Sequence, residues 1–89
     1  MPSELGILHL VRRIGDGEAL AVARDQQAAG HRVTLLLLQD AVLDQPDFSG
    51  TVVACGEDSQ ARGGRCPYPS VSYDEIVRLI FEHQRVVSW

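Results

Sequence analysis

Apolar positions along the chain fall into short runs separated by polar, glycine-rich connections. Gly6-Ile7-Leu8-His9-Leu10-Val11 is almost continuously apolar, the pattern of a strand covered on both faces. Val33-Thr34-Leu35-Leu36-Leu37-Leu38 is the strongest such run and suits the middle of a parallel sheet. Its Val-Thr opening and the short gap after Gly30 mark it as strand rather than helix. Thr51-Val52-Val53-Ala54-Cys55 is a third run, largely β-branched, as buried strands are. Between the first two, Glu18 to Ala29 is rich in alanine, leucine and glutamine and predicts a helix. Asp16 can cap its start and Gly30 can end it in the left-handed conformation. Strand, helix and strand then form one crossover unit of an α/β fold with a parallel sheet.

The remaining connections are short. About ten residues separate Asp40 from Thr51, near the minimum for a parallel crossover, so the second helix is a turn or two ending before Pro46. After Cys55 the stretch continues as a short helix-like segment closed by glycine at Gly63. Gly63-Gly64-Arg65-Cys66-Pro67-Tyr68-Pro69 is a loop by composition, and Ser70-Val71 a very short strand. Ser72-Tyr73-Asp74-Glu75 is a capping box. The helix it opens carries Ile76, Val77, Leu79, Ile80 and Phe81 over more than one face, which predicts deep packing or a subunit contact. Gln84 to Trp89 is a last short strand. There is no internal repeat, and residues 1–89 read as one domain.

Composition narrows the chemistry. A chain of 89 residues buries only about 60–65% of its unfolded surface, so a partner would add to its stability. The net charge is −4 and no basic stripe exists, which argues against direct nucleic-acid binding. All eight basic residues are arginine. The missing lysine excludes a P-loop, a pyridoxal Schiff base and a phosphorylated receiver domain. Met1-Pro2-Ser3-Glu4 lacks the basic region of a signal peptide, and no run is long enough to span a membrane. The expected location is the cytoplasm, where Cys55 and Cys66 read as thiols rather than a disulfide.

Cys55 is the focus of the candidate chemistry. At the carboxyl end of a parallel strand it lies where open α/β sheets bind ligands. The start of the next helix favours a thiolate, Glu57 and Asp58 oppose it, and Arg62 offsets them. The other reading is a buried cysteine acting as a small hydrophobe. Asp40 shares that sheet edge, as helix cap or proton-positioning group. Cys66 is a possible resolving thiol or an incidental loop cysteine. No paired cysteine spacing supports zinc. His9 reads as a core histidine, His83 as a helix-end group, and His31 as a surface turn residue. Arg12 and Arg13 share the edge too, as solvated strand-end arginines or as groups that could meet an anionic sulfur species. Gly15-Asp16-Gly17 falls short of a dinucleotide fingerprint. Trp89 is suited to anchor the last strand.

Taken in order, several segments resemble the TusB/DsrH-like branch of the DsrE/DsrF/DsrH superfamily. They are Leu8-His9-Leu10-Val11-x-Arg13, Leu37-Leu38-Gln39-Asp40-Ala41-Val42, Glu57-Asp58-x-x-Ala61-Arg62-Gly63, Ser72-Tyr73-x-x-Ile76-Val77-x-Leu79, His83, and Ser88-Trp89. The resemblance implies a three-layer α/β/α domain with a mainly parallel sheet of about five strands. It implies a cytoplasmic sulfur-relay subunit, without metal or organic cofactor, that passes persulfide sulfur toward tRNA wobble 2-thiouridine or sulfur oxidation. Partners would be other copies or DsrE/DsrF-like (TusC/TusD-like) subunits, with cysteine-persulfide donor and acceptor proteins. Cys55 would be the sulfur carrier, with Asp40, Asp58 and Arg62 supporting it. The chain departs from the branch in three ways. Cys55 stands where TusB-like subunits often have an apolar residue, matching the active cysteine of DsrE/TusD-like subunits. Asp40-Ala41-Val42 replaces Asp-Gly-Val, and the segment from Leu43 to Gly50 is short. The alternatives are a non-catalytic TusB-like scaffold and, more remotely, a nucleotide- or flavin-binding domain.

Overall fold

The structure, a computed structural model, describes residues 4–89. The reading of a missing leader rests largely on residues 1–3, outside that range. The elements are β1 (Gly6–Val11), α1 (Gly17–Ala28), β2 (Arg32–Leu37), a 3₁₀ turn (Gln39–Leu43), β3 (Thr51–Cys55), α2 (Gly56–Ala61), β4 (Ser70–Val71), α3 (Tyr73–Glu82) and β5 (Arg85–Ser88). The five strands form one sheet in the order β4-β3-β2-β1-β5. Every pairing is parallel. The α/β class and the five-stranded parallel sheet expected from the sequence are both present. The chain moves outward from β1 to β4, then returns to place β5 on the other side of β1. The strand order therefore reverses between β1 and β5.

Local chemistry sets the element ends. The Ala19 N–H donates to Asp16 Oδ1 at 3.1 Å, capping α1. At its other end Gly30 has φ +95°. The His31 N–H donates to the Gln26 carbonyl at 3.2 Å and the Gly30 N–H to the Gln27 carbonyl at 3.0 Å, a pair that satisfies carbonyls the helix itself leaves open. The second crossover is too short for an α-helix, and its Gln39–Leu43 segment tightens into a 3₁₀ turn. At α3 both halves of the Ser72–Glu75 capping box form.

Register divides the sheet into two faces. On the first, Ile7, Val11, Val33, Leu35, Leu37, Val52 and Ala54 pack under Ala19 and Ala23 of α1 and Ala41 and Val42 of the 3₁₀ turn. On the second, Leu8, Leu36 and Val71 are buried, with Leu10, Leu38, Val53, Ile76 and Leu79 packed around them. Leu8, Leu36 and Leu37 are among the largest fully enclosed side chains, each worth roughly 1.5–3 kcal/mol of transfer free energy. Deep packing of α3 does not occur: none of its residues is buried. It rests on the sheet through Ile76 and Leu79, while Val77 and Phe81 are exposed.

His9 is a polar side chain within the core, and is fully buried. The Trp89 indole N–H donates to its Nδ1 at 2.9 Å. Because indole nitrogen only donates, Nδ1 carries no proton, and the ring is neutral with its hydrogen on Nε2. That Nε2–H faces Gln26 Oε1 at 2.6 Å. The two rings stack with centroids 6.0 Å apart. This pair joins β1, α1 and the end of the chain after β5, and fulfils the anchoring role expected of Trp89.

Trp89→Phe keeps the aromatic contact but leaves His9 Nδ1 without its donor. It should cost about 1–3 kcal/mol, the penalty for an unpaired buried polar group, measurable by urea unfolding. Asp16 provides a second test. Hydrogen bonding by the Ala19 N–H, with the Arg13 guanidinium 3.0 Å away, holds its carboxyl below the ordinary 3.8. A depressed carboxylate stabilises the fold fully above that ordinary value, and the contribution is lost as pH falls through the depressed one. Asp16→Asn retains the cap geometry. The loss of stability below about pH 4 should therefore be shallower in Asp16→Asn than in the parent, by urea midpoints between pH 2 and 7.

Candidate functional site

Cys55 ends β3 and is the N-cap residue of α2, as the sequence placed it. Its accessibility differs from the expectation of a reachable thiol. Its relative exposure is 0%, so in this conformation nothing in solvent touches the sulfur. Cys55 pairs in register with Val71, which sets it on the second sheet face, beneath the start of α3. Tyr73, the first residue of α3, stands over this corner. The Glu57 carboxylate first, and Cys55 second, push its hydroxyl upward from 10.0. Tyr73 and Glu57 thus share the corner beside Cys55. The helix after Cys55 has only six residues, and the Cys55 side chain makes no cap hydrogen bond to it.

The three residues expected to support Cys55 do come together, but around a different task. The Gln39 N–H donates to Asp58 Oδ2 at 2.7 Å. Arg62 Nε donates to Asp40 Oδ1 at 2.9 Å, and another guanidinium nitrogen donates to the Asp58 carbonyl at 3.2 Å. These bonds tie α2 to the 3₁₀ turn. They hold Gln39 at φ +51°, a left-handed conformation that costs a non-glycine residue roughly 1–2 kcal/mol. Asp40, Asp58 and Arg62 therefore act as a clasp between two short elements. Their polar groups are spent on that clasp, and none of their hydrogen bonds involves Cys55.

Cys66 is half-buried and packs against the first-face core. Cys55 belongs to the second face, so the sheet stands between the two thiols. Cys66 is not placed to resolve a disulfide with Cys55; it lines a small hollow with Val42, Leu43, Ser59 and Arg62. Both cysteines are free. Among the described residues no group of three or more His, Cys, Asp or Glu side chains is arranged to hold a metal ion.

A mainly apolar pocket opens at the carboxyl ends of β1 and β2. It encloses about 280 Å³ over Val11, Leu20, Leu35, Leu37 and Pro46. Asp44 and Asp47 stand at its edge, and Asp44 Oδ2 accepts the Gly15 N–H at 2.8 Å. A dinucleotide or flavin needs more room and a cationic or amide-lined cradle for its phosphates. This pocket is small, and Asp16, Asp44 and Asp47 in its lining set negative charge where phosphates would sit. The nearby arginines are committed: Arg12 Nε donates to the Trp89 carbonyl at 2.6 Å, and Arg13 bonds Asp16. Ile14 and Leu43 are each 56% exposed.

The remaining histidines have structural roles. His83 Nδ1 meets the Leu79 carbonyl at 2.6 Å and Nε2 faces Thr34 Oγ1 at 3.4 Å, closing the end of α3. His31, expected at a surface turn, accepts the Leu5 N–H on Nδ1 at 3.1 Å. Sequence reasoning missed this bond, the Gln26 contact to His9 and the clasp to Gln39. Each joins residues distant along the chain and leaves no local signal. Among the described residues no helix is long and apolar enough to cross a membrane.

A sealed Cys55 makes two measurable demands. With a disulfide reagent Cys66 should react first, and Cys55 in a slow phase whose rate rises steeply with urea. Cys55→Ala should destabilise by about 1 kcal/mol, because it leaves a small cavity where the buried sulfur sits. Cys55→Ser should cost no more than Cys55→Ala, because its hydroxyl stands at the N-cap of α2 and can accept from the free N–H groups of the first turn. One fast phase for both thiols would contradict the burial.

No family model matches the chain, and the curated proteins compared with it give no match.

Proposed function

We propose that this chain is a non-catalytic, partner-binding subunit of a cysteine-persulfide relay, of the kind that serves tRNA wobble thiolation or sulfur oxidation. Two lines support the reading. The ordered segments from Leu8 to Trp89 resemble TusB/DsrH-like subunits, and the five-stranded parallel sheet is the architecture that the resemblance implies. The observation that favours adaptor over carrier is the complete burial of Cys55.

Persulfide transfer proceeds by attack of a thiolate on the outer sulfur of the donor. A new S–S bond forms, the old one breaks, and the donor cysteine leaves as its thiolate. Both sulfurs must approach each other. A thiol with no exposed surface does not meet a donor protein unless the head of α3 lifts. Cys55 fits the part of a compact apolar side chain filling the space between β3, β4 and α3. The reactive cysteines then reside on unlike, DsrE/DsrF-like subunits, and this chain positions them. Cytoplasmic residence belongs to the same proposal.

The test is reconstitution with such subunits, a cysteine desulfurase and cysteine, followed by intact mass measurement of each chain. The expected result is no sulfur gained on this chain, and transfer by the assembly unchanged with Cys55→Ala. Addition of one sulfur atom mapped to Cys55, or loss of transfer in Cys55→Ala with the assembly intact, would make it the carrier instead.

A further inference from the structure

The apolar pocket at the carboxyl ends of β1 and β2 has no part in the relay reading, and neither cysteine lines it. Its walls are made by the first-face core: Val11, Leu35 and Leu37 from the strands, with Leu20 of α1 and Pro46 beside them. The enclosed volume is about 280 Å³. A dry cavity of about 150 Å³ lined by such side chains holds one benzene ring, so this pocket has room for a ring and roughly two or three further atoms. The strand-to-helix turn leaves the pocket open on its side, since a Cβ added at Gly15 or at Gly17 would meet nothing within 4 Å.

The carboxylates that line the pocket are not equivalent. Asp16 accepts from the Ala19 N–H at 3.1 Å and pairs with Arg13 at 3.0 Å, and its side chain is only 2% exposed. It thereby occupies the positive end of α1, which is not left for an anion. Asp47 is fully exposed and pairs with Arg24 at 3.2 Å. Asp44 is half-buried and makes no ion pair among the described residues. Two backbone groups fix it instead. The Gly15 N–H donates to Oδ2 at 2.8 Å, and the Gln45 N–H donates to Oδ1 at 2.9 Å. Each oxygen keeps a further acceptor position. The result is a held negative charge, without a counter-ion, next to an apolar wall.

We propose that this pocket binds a small organic ammonium, with an apolar ring against Val11, Leu35 and Leu37 and a primary ammonium group bonded to Asp44. Burial of the ring supplies affinity without sign. The ammonium–carboxylate bond supplies the choice of charge, because a charge-assisted hydrogen bond is about twice as strong as a neutral one. Asp44 is already held by the two N–H groups, so little of its freedom is lost when the ligand arrives. An anion of the same shape would face Asp44 directly. The site stands whether the chain is an adaptor, a sulfur carrier or neither.

The test is titration of the chain with 2-phenylethylammonium, followed by amide nuclear magnetic resonance shifts. The alcohol 2-phenylethanol and the carboxylate 3-phenylpropionate serve as neutral and anionic analogues. The expected result is saturable binding of the ammonium with a dissociation constant below about 1 mM, and shifts centred on Gly15, Gly17 and Leu37. The alcohol binds at least about tenfold more weakly, and the carboxylate does not bind. Asp44→Asn keeps an acceptor for the Gly15 N–H. It lowers the ammonium's affinity to that of the alcohol and leaves the alcohol's affinity unchanged. Asp74→Asn, on α3, changes neither. Equal affinity for ammonium and alcohol would overturn the proposal. So would an ammonium affinity unmoved by Asp44→Asn, an equal loss of both ligands in that variant, a matching loss in Asp74→Asn, or no saturable shift up to about 10 mM.

Discussion

A parallel sheet must be covered on both faces, and a chain of 89 residues has little with which to do it. The rest of the structure follows from that constraint. β1 and β2 pair over six positions, from Gly6–Arg32 to Val11–Leu37, with apolar side chains on both sides of the ladder. Water on either face would cost the sheet its main stabilisation, about 25 cal/mol for each Å² of apolar surface left open. The first face receives α1 and the 3₁₀ turn. The second receives α3. Crossovers are cut to their minimum length, and two of the connecting helical segments, the 3₁₀ turn and α2, are barely more than a turn long.

Short elements cannot hold themselves in place, and the polar side chains are used accordingly. The clasp of Asp40, Asp58 and Arg62 does for the 3₁₀ turn and α2 what a longer helix would do by packing. The His9–Trp89 pair does the same for β5. The residue types that first suggest a reactive centre around Cys55 are thereby recruited to architecture. A carboxylate beside an arginine near a thiol has the ingredients of acid–base chemistry. Here the distances assign those ingredients to the backbone of Gln39 and to one another.

The legible part of the fold was the part encoded locally. The apolar runs of β1, β2 and β3, the Asp16 cap, the left-handed Gly30 and the Ser72–Glu75 box each reside within a few consecutive residues, and each is found within a residue or so of its expected place. What the sequence pattern left open depends on residues well separated along the chain, as in the pairing of Cys55 with Val71 and of His9 with Gln26. Burial of Cys55 is set by how α3 returns over β3 and β4. The placing of Cys66 on the opposite face follows from the path of the Gly63–Pro69 loop. The two-sided apolar pattern of α3 was compatible with deep packing or with a contact surface; only the number of layers above the sheet distinguishes them, and no stretch of ten residues states that number.

The stacking of Trp89 on His9 has a spectroscopic consequence. It is the only tryptophan in the chain, and its ring is held by a hydrogen bond to β1 at the seam where β5 joins the sheet. Indole emission from this protein therefore reads out one place, the closure of the last strand. A change in colour or intensity on warming, before any loss of helical signal, would time the peeling of that edge separately from the collapse of the core.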